Sequence, residues 1–190
     1  EYESFGSPKA PAILLIMGLG AQMLRWNVEI CEGLVDAGYR VIRFDNRDCG
    51  RSSWMDNAPL PVLGDIVAAL KAGEVPVVPY TLEDMASDCL GLLDVLGIAA
   101  AHVVGISMGG AIAQILAARH AGRVRSLTCI MASSGHHGLP GPTPDAASAL
   151  FSPLPRERTR KNMIDDGVRR YRVVASPGYP NDELWLEELF

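Results

Sequence analysis

The chain has 190 residues, 48% of them hydrophobic and 21% charged, a balance that suits a folded globular unit and excludes a disordered tract. A formal charge of −5, with no Lys/Arg run longer than two residues, offers no basic stripe for a phosphate backbone and argues against nucleic acid as a partner. The longest apolar run, residues 10–24, is broken by Pro11, Gly18, Gly20 and Gln22 and cannot cross a bilayer as a helix, while Cys31, Cys49, Cys89 and Cys129 stand far apart without a CxxC pair and read as free, mostly buried thiols of a reducing, cytoplasmic setting.

In chain order, residues 1–5 have the character of an outer-strand stub. Short runs rich in Val, Ile and Leu follow at 12–17, 40–45 and 101–106. They are too short for helices, and each leads through a glycine-containing loop towards a segment of helical period, the pattern of buried parallel strands in βαβ units. Helices are expected at 23–37, with Trp26, Ile30, Leu34 and Val35 inward, at 82–96 and at 108–120. Gly38 and Gly97 are placed to end the first two, and Thr81 with Asp84 forms an N-cap box. A further strand is expected at 124–131. The proline-rich stretch 54–79 reads as a surface excursion around a helical patch at 65–72. Beyond Ser133 comes a Gly/Pro loop through Pro144, then charged helical pieces at 156–174 and 182–190. The fold class is therefore α/β, with a doubly wound, mostly parallel sheet and a helical cap.

Gly105-Ile106-Ser107-Met108-Gly109 is a GxSxG string. At this glycine and serine content such a string arises by chance in roughly one chain in eight of this length, so its position has to carry the reading. It stands where a buried strand ends and a helix begins. There a sharp turn can lift a serine hydroxyl above the sheet, with Gly105, Gly109 and Gly110 avoiding the clashes that side chains would cause. The hydroxyl then meets the helix N-terminus, which favours developing negative charge. After the earlier strand, Met17-Gly18-Leu19-Gly20 can aim a backbone N–H at the same point. Leu19 and Met108 N–H together read as an oxyanion hole, worth roughly 3–4 kcal/mol per donor. A dinucleotide-binding turn is the alternative for this loop, but Leu24 stands where a third glycine would be.

These strings, with Val41-Ile42-Arg43-Phe44-Asp45-Asn46-Arg47-Asp48-Cys49-Gly50-Arg51-Ser52 and Ala101-His102-Val103-Val104 before the serine, resemble the α/β-hydrolase family, in the esterase group that includes aclacinomycin methylesterase. The resemblance covers residues 1 to about 135, in the family's order and spacing. Met17 stands where the wider superfamily commonly has His, a departure of little consequence because the donor is backbone. The resemblance implies a core at 1–135 holding the nucleophile half of the fold, and a loop and incomplete helical cap at 136–190. It implies an architectural role for Asp45, Arg47, Gly50 and Ser52 of the DxRxxGxS segment, which ties down a loop beside the site. It also implies an ester hydrolase with Ser107 as nucleophile, no metal or organic cofactor, no membrane partner, and small apolar ester substrates. Lactone or carbon–carbon bond cleavage at the same serine and a non-catalytic small-ligand module are the alternatives.

His102 and His120 read as surface residues. His136 and His137 follow the 124–131 strand and could line a pocket beside Ser107, and Trp185 contributes to an apolar patch in the cap. The family's order is Ser, Asp, His, and no acid after Ser107 follows a strand-like run. Leu127, Cys129 and Ile130 would be left on an open sheet edge. The expectation is that a missing C-terminal segment of the same protein supplies the remaining strands, the Asp and the His.

Overall fold

The computed structural model of the chain describes residues 1–136, 138–178 and 186. Two compact units are present, Glu1–His136 and His137–Phe190.

The first unit is built on a five-stranded sheet: β1 (Tyr2–Phe5), β2 (Ala12–Ile16), β3 (Arg40–Phe44), β4 (Ala101–Ile106) and β5 (Val124–Ile130). Their order is β1-β3-β2-β4-β5, with β1 antiparallel to β3 and every other pairing parallel. β2 is buried along its whole length, so its two faces serve two cores. Leu14 and Ile16 point into one with Met85, Cys89, Leu93 and Ile112. Ile13 and Leu15 point into the other with Trp26, Cys31 and Val41. This alternation is the period of two that a central strand imposes. Helices α3 (Leu82–Val95) and α4 (Met108–Arg119) belong to the first face, and α1 (Val28–Asp36) to the second.

The helix expected at 23–37 is divided. A 3-10 turn covers Met23–Arg25, and α1 starts only at Val28 because Asn27, in extended backbone, accepts the Ile30 N–H at 3.1 Å on its side-chain oxygen. This Asn N-cap competes with continuous helix and rotates the apolar stripe. Cys31 is the fully buried residue on α1, whereas Ile30, expected to face inward, is 45% exposed. Cys49 and Cys89 are buried as well and Cys129 is exposed, which agrees with thiols expected to be mostly buried and with Cys129 expected at an open sheet edge. Its strand β5 lies at an end of the strand order, and Leu127 and Ile130 beside it are 40% and 37% exposed.

α3 begins at a capping box: Thr81 N donates to the Asp84 carboxylate at 2.7 Å and Asp84 N donates to Thr81 Oγ1 at 3.3 Å. Replacing Thr81 by Ala should cost about 1 kcal/mol of stability, measurable as a lowered urea midpoint. The Thr81 backbone and hydroxyl hold the Asp84 carboxyl below its ordinary value. A depressed carboxyl stabilises the fold above its unfolded value and loses that contribution as the pH drops through the folded one. The gap between wild type and Thr81→Ala should accordingly narrow below the ordinary value of 3.8.

The excursion after β3 carries α2 (Leu63–Ala72), which ends at Gly73 in the left-handed region (φ 73°). In the second unit, α5 (Pro144–Phe151) and α6 (Arg160–Val174) pack together. α5 begins at Pro144, where the Gly/Pro loop read from sequence ends, and fills a stretch before residue 156 in which no helix was expected. Thr143 caps it through the Ala146 N–H, and Pro144 stands at its first turn, where a missing N–H costs nothing. Arg170 of α6 donates to Ala149 O at 2.8 Å and Ser152 O at 2.9 Å at the C-terminal end of α5, where cations are favoured. Of the helical piece expected at 182–190, only Leu186 is among the described residues.

Candidate active site

β4 ends at Ile106, α4 begins at Met108, and the whole reversal of direction falls on Ser107, with φ 55° and ψ −122°. A residue with a Cβ avoids this region, at a cost of roughly 1–3 kcal/mol, so surrounding contacts must impose it. Ser107 N donates to Ile130 O at 2.8 Å, and Gly110 N donates to Ser107 O at 2.9 Å. Packing does the rest. A Cβ on Gly105 would stand 2.2 Å from Gly109 O, and one on Gly109 2.3 Å from Ile16 O. One on Gly110 would stand 2.4 Å from the Ala132 Cβ. All three glycines are required for strand and helix to approach this closely. Ser107 itself is exposed and makes no capping hydrogen bond to its own helix. Its hydroxyl stands at the N-terminus of α4 without being absorbed into the cap.

The parallel register pairs Ile16 with Gly105, so the loop after β2 emerges beside Ser107. A Cβ on buried Gly18 would lie 3.2 Å from Ser107 Cβ and 3.7 Å from its Oγ. The loop is fastened from β3. Asn46 Nδ2 donates to Met17 O at 3.0 Å, and the Asp45 carboxylate accepts Met23 N–H at 2.8 Å and Arg51 N–H at 3.0 Å. Ser52 Oγ donates to Asp45 O at 2.6 Å. Gly50, at φ 53°, lies so close to Asp45 that a Cβ would overlap its carboxylate at 2.0 Å. Asp45 and Asn46 are 6% and 4% exposed. Asn46 escaped the sequence reading. The available signal was an amide directly after a fully apolar strand, where burial obliges it to bond something.

Beside this loop lies a cavity of about 320 Å³. Leu19, Leu82, Met85 and Met108 contribute apolar wall; Arg47, Asp48 and Tyr80 contribute its polar part. Arg47 is held by a two-pronged ion pair to Asp88, both contacts at 2.7 Å, and its guanidinium lies 5.0 Å from the Tyr80 ring centre. Desolvation, with a hydrogen bond to Asp48 as the next cause, pushes the Tyr80 hydroxyl up to about 12. Asp48 also accepts the Met55 N–H at 2.6 Å.

The remaining sequence candidates fall elsewhere. His102 is half-buried rather than a surface residue: its Nδ1 lies 2.7 Å from Ser126 Oγ, and its ring meets Tyr39 edge-on at 5.6 Å. It sits near the start of β4, the end opposite Ser107. His120 is exposed. His136 is exposed, with its backbone N–H on Ser134 Oγ at 3.4 Å. His137 and Trp185 lie outside the described residues. Among the described residues no histidine lines the cavity, no group of three or more His, Cys, Asp or Glu could hold a metal ion, and no helix is long and apolar enough to cross a membrane.

Residues 11–171 match the family model described as alpha/beta hydrolase fold. The chain is 30% identical over 200 residues to rhodomycin D methylesterase DnrP of Streptomyces peucetius, covering 95% of this chain and 60% of that protein. It is 34% identical over 188 residues to a putative carbamate hydrolase, RutD, of Variovorax paradoxus (strain S110), covering 99% of this chain and 58% of the other. A solved marine microorganism esterase superposes with a TM-score of 0.63 at 20% identity, over 100% of this chain and 61% of that one. The chain thus spans about 60% of the length of these proteins.

Proposed function

The chain belongs to the alpha/beta hydrolase fold family, and from that premise we propose that it carries the nucleophilic part of a carboxylic ester hydrolase acting through an acyl-enzyme on Ser107. The observation that carries this reading is the exposed Ser107 hydroxyl at a strained strand-to-helix turn, with the Gly18 loop packed against it. Ser107 Oγ bonds to the ester carbonyl carbon, its proton passes to a general base, and the alcohol leaves with a proton as its C–O bond breaks. The Leu19 and Met108 N–H groups hold the oxyanion. A His–Asp pair fills the base and orienting roles; neither role is assigned to a described residue. Three buried free thiols suit a reducing cytoplasm. The methylesterase relative and the apolar cavity wall support a small apolar ester as substrate.

A fluorophosphonate probe tests this. Covalent labelling of Ser107 is expected, and its absence in the full-length protein together with tight binding of apolar esters would establish a non-catalytic binding module instead.

Asn46 acts as a positioning residue in this scheme. With Asn46→Ala, Met17 O loses its donor and the loop bearing the Leu19 N–H loosens. We expect kcat to fall about 10-fold, a fraction of the 2.7–4 kcal/mol that losing a whole oxyanion donor costs, with KM little changed. A change confined to KM would contradict the role.

A further inference from the structure

Residues 54–79 run outward from the loop after β3 and return to α3 at Tyr80, and both ends of this segment come back to one carboxylate. We propose that Asp48 is the clasp of the segment: it ties residues 54–79 across their base and holds Tyr80 in the wall of the cavity beside Ser107, so that releasing the clasp opens that wall. The contacts that carry this are independent of what Ser107 does.

The first tie is at the outgoing end, where the Asp48 carboxylate accepts the Met55 N–H at 2.6 Å. The turn beneath it is closed by Asp48 N–H on Ser53 O at 2.9 Å and by Trp54 Nε1–H on Gly50 O at 3.2 Å. The second tie is at the returning end, where the Tyr80 hydroxyl donates to the same carboxylate. Desolvation first and this hydrogen bond second push the hydroxyl up to about 12, so it keeps its proton and remains a donor through neutral pH. Arg47, the residue before Asp48, lies over the face of the same ring, 5.0 Å from its centre, and is anchored on α3 through Asp88. Two adjacent residues of the loop after β3 thus select a tyrosine, with a cation for its ring and a carboxylate for its hydroxyl.

The backbone points the same way. Asp48 stands at φ 56°, in the left-handed region that a residue with a Cβ enters at a cost. Glycine would satisfy that turn more freely, and what glycine lacks is the carboxylate that accepts both donors. Between the two ends the segment is lightly held. Among the described residues of α2 none is buried: Ile66 and Ala69 are half-buried and the others are exposed. A stretch with little buried apolar surface opens locally at small cost unless its base is fastened. Asp48, Tyr80, Thr81 and Leu82 line the cavity together with Leu19 and Met108, so opening at this base widens the cavity and leaves Ser107 and the glycines of its turn in place.

Amide hydrogen exchange of the full-length protein, read by mass spectrometry, tests the clasp. Asp48→Gly suits the backbone and removes only the carboxylate. Exchange across residues 54–79 should quicken at least about 10-fold, the size expected for losing a hydrogen bond to a charged acceptor, while α3 and α4 exchange as in wild type. Tyr80→Phe keeps the ring in the wall and removes one tie, and should quicken the same segment. The double variant should exchange no faster than Asp48→Gly alone, because the second substitution removes a bond already broken. Ester kinetics give the other readout: KM should rise several-fold in both variants with a smaller change in kcat, whereas a merely structural role would lower kcat with the folded fraction and leave KM alone. Wild-type exchange across 54–79 in Asp48→Gly, or equal quickening in α3 and α4, overturns the clasp. Additive effects in the double variant remove the Tyr80 tie, and an unmoved KM removes the link to the cavity. Unlabelled Ser107 in the fluorophosphonate experiment removes the ester hydrolase reading and leaves the exchange rates to decide the clasp. Should Asp48→Gly fail to fold, Tyr80→Phe, which deletes a single oxygen, decides.

Discussion

Replacing Ser107 by glycine should make the protein more stable while removing the ester hydrolysis proposed above. If Ser107 is the nucleophile proposed above, the loss follows from its removal, which at a triad-type site lowers kcat by about 10⁴- to 10⁶-fold. The gain follows from the backbone. At φ 55° and ψ −122° a Cβ costs roughly 1–3 kcal/mol, whereas glycine enters this region freely and surrenders only about 0.5–1 kcal/mol of extra chain entropy. The net expectation is about 1 kcal/mol of added stability, read as a Tm increase of about 2–4 °C. Ser107→Ala is the control, since it keeps the Cβ. It should be equally inactive with no rise in Tm, so equal melting temperatures for the two variants would show that no strain is held at this turn.

Gly109→Ala has the opposite consequence, with a larger effect on folding than any other substitution considered. The added Cβ would stand 2.3 Å from Ile16 O and 2.7 Å from Met17 O. Both are backbone atoms of β2 and the loop after it, so no side-chain rotation relieves the overlap. α4 must move away from the sheet, breaking the core around Ile112 and Leu116, both fully buried. Destabilisation above about 4 kcal/mol is expected, seen as loss of soluble protein or of a cooperative melt. Gly91→Ala gives the contrast. Nothing lies within 4 Å of a Cβ there, and Gly91 is an exposed interior position of α3, so Ala should stabilise by about 0.5–1 kcal/mol. A Gly109→Ala protein that melted like wild type would mean that strand and helix are farther apart than described.

The sequence by itself determined what depends on neighbours along the chain. Ala101 to Ile106 is too short and too apolar for anything but a buried strand, and Met108 opens a helical run, so the residue pattern alone places Ser107 at a strand-to-helix junction. Thr81 and Asp84 announced their capping box because its partners are three residues apart. Local signals failed where two of them competed. Asn27 reads as one polar residue inside a helical stretch, yet its side chain accepts the Ile30 N–H and breaks the stretch in two, and Thr143 with Pro144 starts α5 inside what reads as a loop. The tertiary structure alone decided the rest. Asn46 acquires its role from Met17, 29 positions away, and the cavity wall joins Leu19, Asp48, Leu82 and Met108, which no spacing rule relates. The exposure of Ile30 likewise turned on helix phase. Backbone propensity and capping act over a few bonds and are written in order along the chain, whereas a wall, a buried amide's partner and a covered strand edge are fixed only when register brings distant segments into contact.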